Sequence, residues 1–231
     1  MKRFLPKAAA AASLAAALIL LPNSARAERP FSWTGFYWGA NTSMNFSQFK
    51  TTSPTTPDQS GDGWGGGLQA GYSWQGGPIV AGVELDANFA DISSRTLDGN
   101  FITEDTKIQA FGSACGRLGF STGGIMPYVT GGLAWAHVKS GQHCAPNATA
   151  GFCLTNGGFD NYDAGFQTGW TVGGGVEAMV WRNISIKVEY LHADFGSKTW
   201  NFGTTPKGNP TGLTPHTATM DTLRMGFNYR F

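Results

Sequence analysis

The sequence predicts an all-β fold: an eight-stranded antiparallel up-and-down transmembrane β-barrel, with short periplasmic turns and long extracellular loops. Three observations predict it. Segments in which apolar and polar residues alternate with period two recur along the chain, as in strands with one apolar and one polar face. Charged residues are 13% of the 231, aromatic residues 13%, and glycine occurs 33 times, whereas soluble domains carry about 25% charge. The connections between the alternating segments are short and long by turns, an asymmetry typical of barrels that cross a membrane.

At the N-terminus, Lys2, Arg3 and Lys7 precede an apolar run from Ala8 to Leu21, and Ala25-Arg26-Ala27 supplies a small-x-small cleavage site. This is the pattern of a secretory signal peptide cut before Glu28, the run being shorter than the ~20 apolar residues of a spanning helix. The expected organisation is a signal peptide over 1–27 and one barrel domain over 28–231. Cleavage leaves 12 of the 16 Lys and Arg residues against 15 acidic ones. A chain slightly acidic overall has no basic stripe for tracking phosphates, which argues against nucleic acid.

The alternating segments follow in order. Phe36, Trp38, Ala40, Thr42, Met44 and Phe46 alternate with Tyr37, Gly39, Asn41, Ser43 and Asn45. The second runs from Trp64 to Trp74, and the third sets Ile79, Ala81, Val83, Leu85, Ala87 and Phe89 against Glu84, Asp86 and Asn88. The fourth, Lys107–Phe120, is less clean and is read with Lys107, Gln109, Ser113, Cys115 and Arg117 on one face. The fifth, Met126–Val138, is read with Val129, Leu133 and Trp135 outward. The sixth ends at Trp181 with Glu177 on its polar face; the seventh sets Ile184, Ile186, Val188 and Tyr190 against Ser185, Lys187 and Glu189. The last sets Leu223, Met225, Phe227, Tyr229 and Phe231 against Arg224, Gly226, Asn228 and Arg230. Residues 75–78, 121–125 and 182–183 read as tight turns, and 47–63, 91–106, 139–164 and 196–216 as long polar loops.

A soluble barrel would turn the apolar face inward around a ligand. Here one face carries Glu84, Asp86, Lys107, Arg117, Glu177, Lys187, Glu189, Arg224 and Arg230. A polar lumen accommodates such a set, and lipid accommodates the other face. Trp33, Phe36, Trp74 and Trp181 are then expected in a periplasmic aromatic belt, and Trp64, Trp135, Trp170 and Trp200 in an outer one.

Several stretches carry a family resemblance: WTGFYWGAN, GVELDANFADI, CGRLGF, PYVTGGLAW, GWTVGGGVEAMVWRNISIKVEYLHADFG and the closing LRMGFNYRF. Together they resemble the outer membrane protein β-barrel family, small porin-family surface proteins related in shape to OmpA- and opacity-type barrels. The resemblance implies a place in the outer membrane of a Gram-negative bacterium, in contact with its lipid and lipopolysaccharide. It also implies delivery by periplasmic chaperones to the barrel-assembly machinery, which reads a last strand ending in an aromatic; Phe227, Tyr229 and Phe231 match that signal. Members are surface antigens and envelope stabilisers, and some relatives bind haemin. The sequence departs from the family at Cys115, where an arginine is usual.

Glu84, Asp86, Arg117, Glu177, Lys187, Glu189 and Arg224 read as a lumen charge network, with Glu177 and Lys187 at similar height on adjacent strands and able to pair. An eight-stranded barrel is just wide enough for side chains to fill, and unpaired buried charge is costly. Cys144 and Cys153 share one long loop in an oxidising compartment and are a disulfide candidate. His143 beside Cys144 lacks the paired spacing of a zinc site, so no metal is assigned. His137, His143, His192 and His216 lie toward the loop end and are candidate axial ligands for haem, with Tyr190, Phe195 and Trp200 as flanking rings. No cofactor is otherwise implied. His192, Asp194 and Ser197 supply the residue types of a hydrolytic triad without its geometry, and the chain is read as a non-enzyme. The leading function is a structural, surface-exposed barrel. A haemin or adhesin receptor acting on a host or extracellular ligand through the loops, and a narrow conduit, stand as alternatives.

Overall fold

The fold is taken from a computed structural model, which describes residues 32–51, 58–97, 102–144, 151–201, 203–209 and 213–231. The expected signal peptide lies outside the described residues. Eight strands close into one antiparallel barrel in chain order. They are β1 (Gly35–Thr51), β2 (Gln59–Gly76), β3 (Ile79–Leu97), β4 (Thr103–Phe120), β5 (Ile125–Cys144), β6 (Phe159–Trp181), β7 (Ile184–Asn201) and β8 (Leu213–Arg230). A short helix, α1 (Gly151–Asn156), lies between β5 and β6. The ring closes where β1 pairs with β8 from Tyr37↔Arg230 to Thr51↔His216, and Phe231 N donates to Phe36 O at 3.1 Å. Closure removes the edges along which an open sheet would aggregate.

The expected tight turns are present between β2 and β3, β4 and β5, and β6 and β7. Gly77 and Gly123 take φ of 61° and 91° there, conformations that a side chain disfavours. The long loops are much shorter than the sequence reading has them, because the strands run through them. Strand lengths are 17 to 23 residues, whereas a tilted crossing of a bilayer needs about 9–11. Roughly half of each strand therefore stands above the apolar band.

This upper half is invisible to a search for apolar-outward alternation because its pattern is the reverse. Phe49, Ile92, Ile108, Phe111, Phe195, Trp200 and Met220 point inward and form one buried cluster, while polar residues such as Lys50, Ser93 and Lys107 face out. Bulges on β4 and β7 adjust the phase. On β4 an extra residue at Gln109 shifts the register between Ile108 and Ala110, so inward positions change from even to odd numbers. On β7 the register shifts between Asp194 and Ser197, where Gly196 has φ 67° and its N–H donates to the Asp194 carboxylate at 2.8 Å. A bulge adds a residue to one strand and re-aims the side chains beyond it.

These bulges explain two corrections. Lys107, expected in the lumen, is exposed on the outer wall, and Trp200, expected in the outer belt, is buried inside at 1% exposure. A third correction is Trp33. Placed in the lower belt by the sequence reading, it is fully buried beneath the lumen with Val80, Met126 and Tyr128. Its indole N–H donates to Ser121 Oγ at 2.9 Å and Gly123 O at 3.1 Å, closing the turn end. Phe36, Trp74, Trp181, Trp64 and Trp170 do face outward, exposed by 49% to 74%.

Candidate functional site

Between the Trp33 floor and the apolar upper cluster lies a layer of buried charge. Among the described residues it holds four carboxylates, Glu84, Asp86, Glu177 and Glu189, and four cations, Arg117, Lys187, Arg224 and Arg230, none more than 7% exposed. The layer is electrically balanced. That balance matters because burying an ion costs several kcal/mol unless partners repay it.

Some of the pairs join neighbouring strands, and others reach across the lumen. Lys187 Nζ on β7 reaches Glu84 Oε1 on β3, on the opposite wall, at 2.6 Å. Arg117 on β4 forks between Glu84 Oε2 at 3.0 Å and Glu177 Oε2 on β6 at 2.9 Å. Its guanidinium also lies 3.9 Å from the Tyr128 ring centre. Arg224 on β8 contacts Asp86 at 3.1 Å and Glu189 at 3.5 Å. Arg230 donates to Glu177 at 2.8 Å and to the Trp33 carbonyl at 3.2 Å, tying the layer to the floor. Tyr37 donates to Glu84 at 2.8 Å and accepts from Arg117 at 2.8 Å.

Glu177 and Lys187 are cross-strand neighbours, yet the expected pair between them is not made. Glu177 is taken by Arg117, Arg230 and Asn228. Forked guanidinium donors match a carboxylate's geometry better than an ammonium does, and Lys187 turns to Glu84. Tyr37, Tyr128 and Trp33 also belong to the layer and escape the sequence reading, although Tyr37 sits in phase with Asn41 and Ser43 on the inward face.

Glycines make room for these side chains. A Cβ at Gly71 would strike the Tyr37 ring, and one at Gly226 would lie 2.9 Å from Lys187 Cε. Cys115 points inward, buried and free, with Ser113 as its neighbour. Above the charged layer, the space bounded by Phe111, Thr171, Leu191, Phe195 and Arg224 is about 20 Å³, about enough for one water.

The other candidates lie elsewhere. Cys144 and Cys153 are joined in a disulfide with Cα atoms 5.4 Å apart, packed with Ile102 and Phe159 at the loop end. The histidines do not converge. His137 on β5 is opposite Phe166 of β6, whereas His192 on β7 is opposite Val172 of the same strand; six residues of strand separate those levels by about 20 Å. His143 lies a further six residues up β5, near Asp160 at 3.8 Å, and the His216 side chain is outside the described ones. Of the flanking rings, Phe195 and Trp200 are inside the lumen and Tyr190 is outside it, donating to Asp221 at 2.7 Å. His192 also bonds Asp221, at 2.8 Å, rather than the expected Asp194. Phe227, Tyr229 and Phe231 face outward at the turn end, exposed by 45%, 39% and 69%, with the last two rings 5.2 Å apart.

The outer membrane protein beta-barrel domain family matches residues 11–231. The chain is 30% identical over 241 residues to the 31 kDa outer-membrane immunogenic protein of Brucella melitensis, covering 96% of the chain and 95% of that relative. It is 32% identical over 172 residues to the 22 kDa outer membrane protein of Rhizobium leguminosarum bv. viciae, covering 74% of the chain and 68% of the relative. Among solved structures it is similar in fold to the outer membrane protein OprG from Pseudomonas aeruginosa. The TM-score is 0.55 at 13% identity, over 88% of this chain and 99% of that one. With its closed barrel, apolar outer band and charged lumen, the chain belongs to the outer membrane protein β-barrel family, and its place is the outer membrane of a Gram-negative bacterium.

Proposed function

We propose that this protein is a structural and surface-exposed element of the outer membrane, a closed barrel that strengthens the envelope and presents its loops as surface antigen. One observation carries the reading: the lumen is filled along its length. Trp33 plugs the turn end, a neutral network of eight ionised groups cross-links opposite walls, and an apolar cluster seals the upper half. Removing one member of such a network leaves its partner buried and unpaired, so the layer resists opening. A relative described as an outer-membrane immunogenic protein agrees with exposure of the loop end. The outward Phe227, Tyr229 and Phe231 supply the last-strand pattern for the barrel-assembly machinery, reached through periplasmic chaperones.

Planar-bilayer recording of the refolded barrel tests the filled lumen, with no discrete conductance steps expected. Steps that scale with salt would return the conduit to first place. For the surface role, antibody against residues 203–209 is expected to label intact cells. Labelling only after permeabilisation would put that end on the wrong side of the membrane.

A further inference from the structure

On the outer wall the register sets Lys107 of β4 directly opposite Lys139 of β5. Directly opposed residues of an antiparallel pair project from one face with Cβ atoms about 4.5–5.5 Å apart, and like charges there repel. Neither lysine joins an ion pair among the described residues. Just above them, Asp105 is engaged by Arg95 at 2.6 Å, and Asp160 lies 3.8 Å from the His143 ring nitrogen. The Lys139 ammonium lies 4.3 Å from the Tyr162 ring centre, and one edge of that ring lies over Gly141, where a Cβ would strike it. Two cations thus stand side by side with no carboxylate of the described residues paired to either.

What lies beneath them identifies the occupant. His137, two residues below Lys139, packs against Phe166 with centroids 5.1 Å apart, and Trp135 lies 6.3 Å from the same ring. Below that aromatic rim an open groove of about 470 Å³ is bounded by Ala114, Leu133, Trp135 and Thr168. Lys139 stands four residues above Trp135, about 13 Å along the strand and ~10 Å in height at the usual tilt. From bottom to top the wall offers an apolar groove, an aromatic rim, an imidazole and two ammonium groups. We propose that this wall holds an anionic membrane lipid whose headgroup ends in a free phosphate group, the phosphate between Lys107 and Lys139 and an acyl chain in the groove. The inference rests on the reading of the lower part of this wall as membrane-embedded, with Lys107 and Lys139 at its upper boundary, and gives it a preferred lipid.

The test uses the full barrel refolded in vesicles containing spin-labelled phosphatidic acid or spin-labelled phosphatidylcholine, and compares the motionally restricted fraction of each. A preference for phosphatidic acid of about tenfold is expected, falling to within about twofold in Lys107→Gln/Lys139→Gln. The Lys50→Gln/Lys207→Gln variant removes the same charge from exposed positions elsewhere at the loop end and is expected to keep the preference. Equal loss in both double variants, or none in the first, overturns the site. Inorganic phosphate titrated into detergent-refolded protein distinguishes the source of the anion. Saturable binding without a lipid preference would assign a free-phosphate site instead and overturn the lipid. Absence of any restricted lipid around the wild-type barrel would overturn the membrane reading and the site together, whereas restricted lipid without preference overturns the site alone.

Discussion

The lower and upper halves of the lumen solve one packing problem with opposite chemistry. In the lower half the wall is apolar outside, with Leu85, Leu133 and Met225 exposed by 62% to 70%, and charged within. In the upper half Lys50 and Lys107 face out, while Phe111, Trp200 and Met220 fill the interior. Each half is the inverse of its surroundings. A strand apolar on both faces could slip by one residue at little cost, because nothing would distinguish the faces. Charge inside a lipid-facing wall, and apolar groups inside a water-facing one, both make a slip expensive. The interior thus fixes register as well as filling space.

The largest effect is expected where that logic is broken by charge. Glu177→Leu removes the shared partner of Arg117 and Arg230 and leaves two cations in a buried layer. A loss of about 3–5 kcal/mol is expected, read by urea unfolding of barrels refolded in vesicles. A loss under ~1 kcal/mol would show that the lower half is hydrated and loosely held.

Next comes the wall itself. Met225 is 62% exposed on the lipid side, six residues from the end of the chain and so near the middle of the apolar band. Met225→Arg should cost about 2–4 kcal/mol. Its neighbour Arg224 faces the other way, onto Asp86 and Glu189, and Arg224→Gln should cost only ~1–2 kcal/mol, since an amide still donates to those carboxylates. The reverse order would mean that the two faces have been exchanged.

A smaller change separates the halves energetically. Met220→Ala opens space in the upper cluster and should cost about 2 kcal/mol, whereas Met220→Leu should cost under ~1.5 kcal/mol, because volume is kept. In the lower half the corresponding like-for-like change, Arg117→Lys, is not conservative, since a fork that meets two carboxylates becomes a point charge. Finding Met220→Leu as costly as Arg117→Lys would remove the distinction between a packed and a paired interior.

The contrast also explains what is legible in the sequence. The faces of residues 36–46, 79–89, 184–190 and 223–231 can be read directly, because lipid demands an unbroken apolar row and the lumen side supplies the charges. The upper strands cannot, since they follow the opposite rule and read as loops. Nor can Lys107 and Trp200, which lie beyond bulges at Gln109 and Gly196 that one-dimensional alternation does not register. The eight ionised members of the charged layer follow from phase, but their pairing does not. Lys187 meets Glu84 across the lumen, a contact set by barrel diameter and side-chain length rather than by neighbouring strands. Trp33 is misread because an aromatic just before β1 fits a belt and a plug equally well.

The finest test sets two lysines against each other. Lys187 is buried in the lower layer, 2.6 Å from Glu84, and Lys187→Met strands that carboxylate at a cost of several kcal/mol. Lys107 reads from sequence as its equivalent on β4, yet the bulge at Gln109 turns it outward opposite Lys139. An exposed lysine facing a like charge loses nothing when neutralised, and relief of the repulsion offers a few tenths of a kcal/mol. Lys107→Met is therefore expected to change stability by no more than ~0.5 kcal/mol under the same urea titration. A cost approaching that of Lys187→Met would put Lys107 back in the lumen, and would require β4 to run without its bulge. Ile108 and Phe111 could not then both point inward, and the apolar upper half would lose one wall of its core.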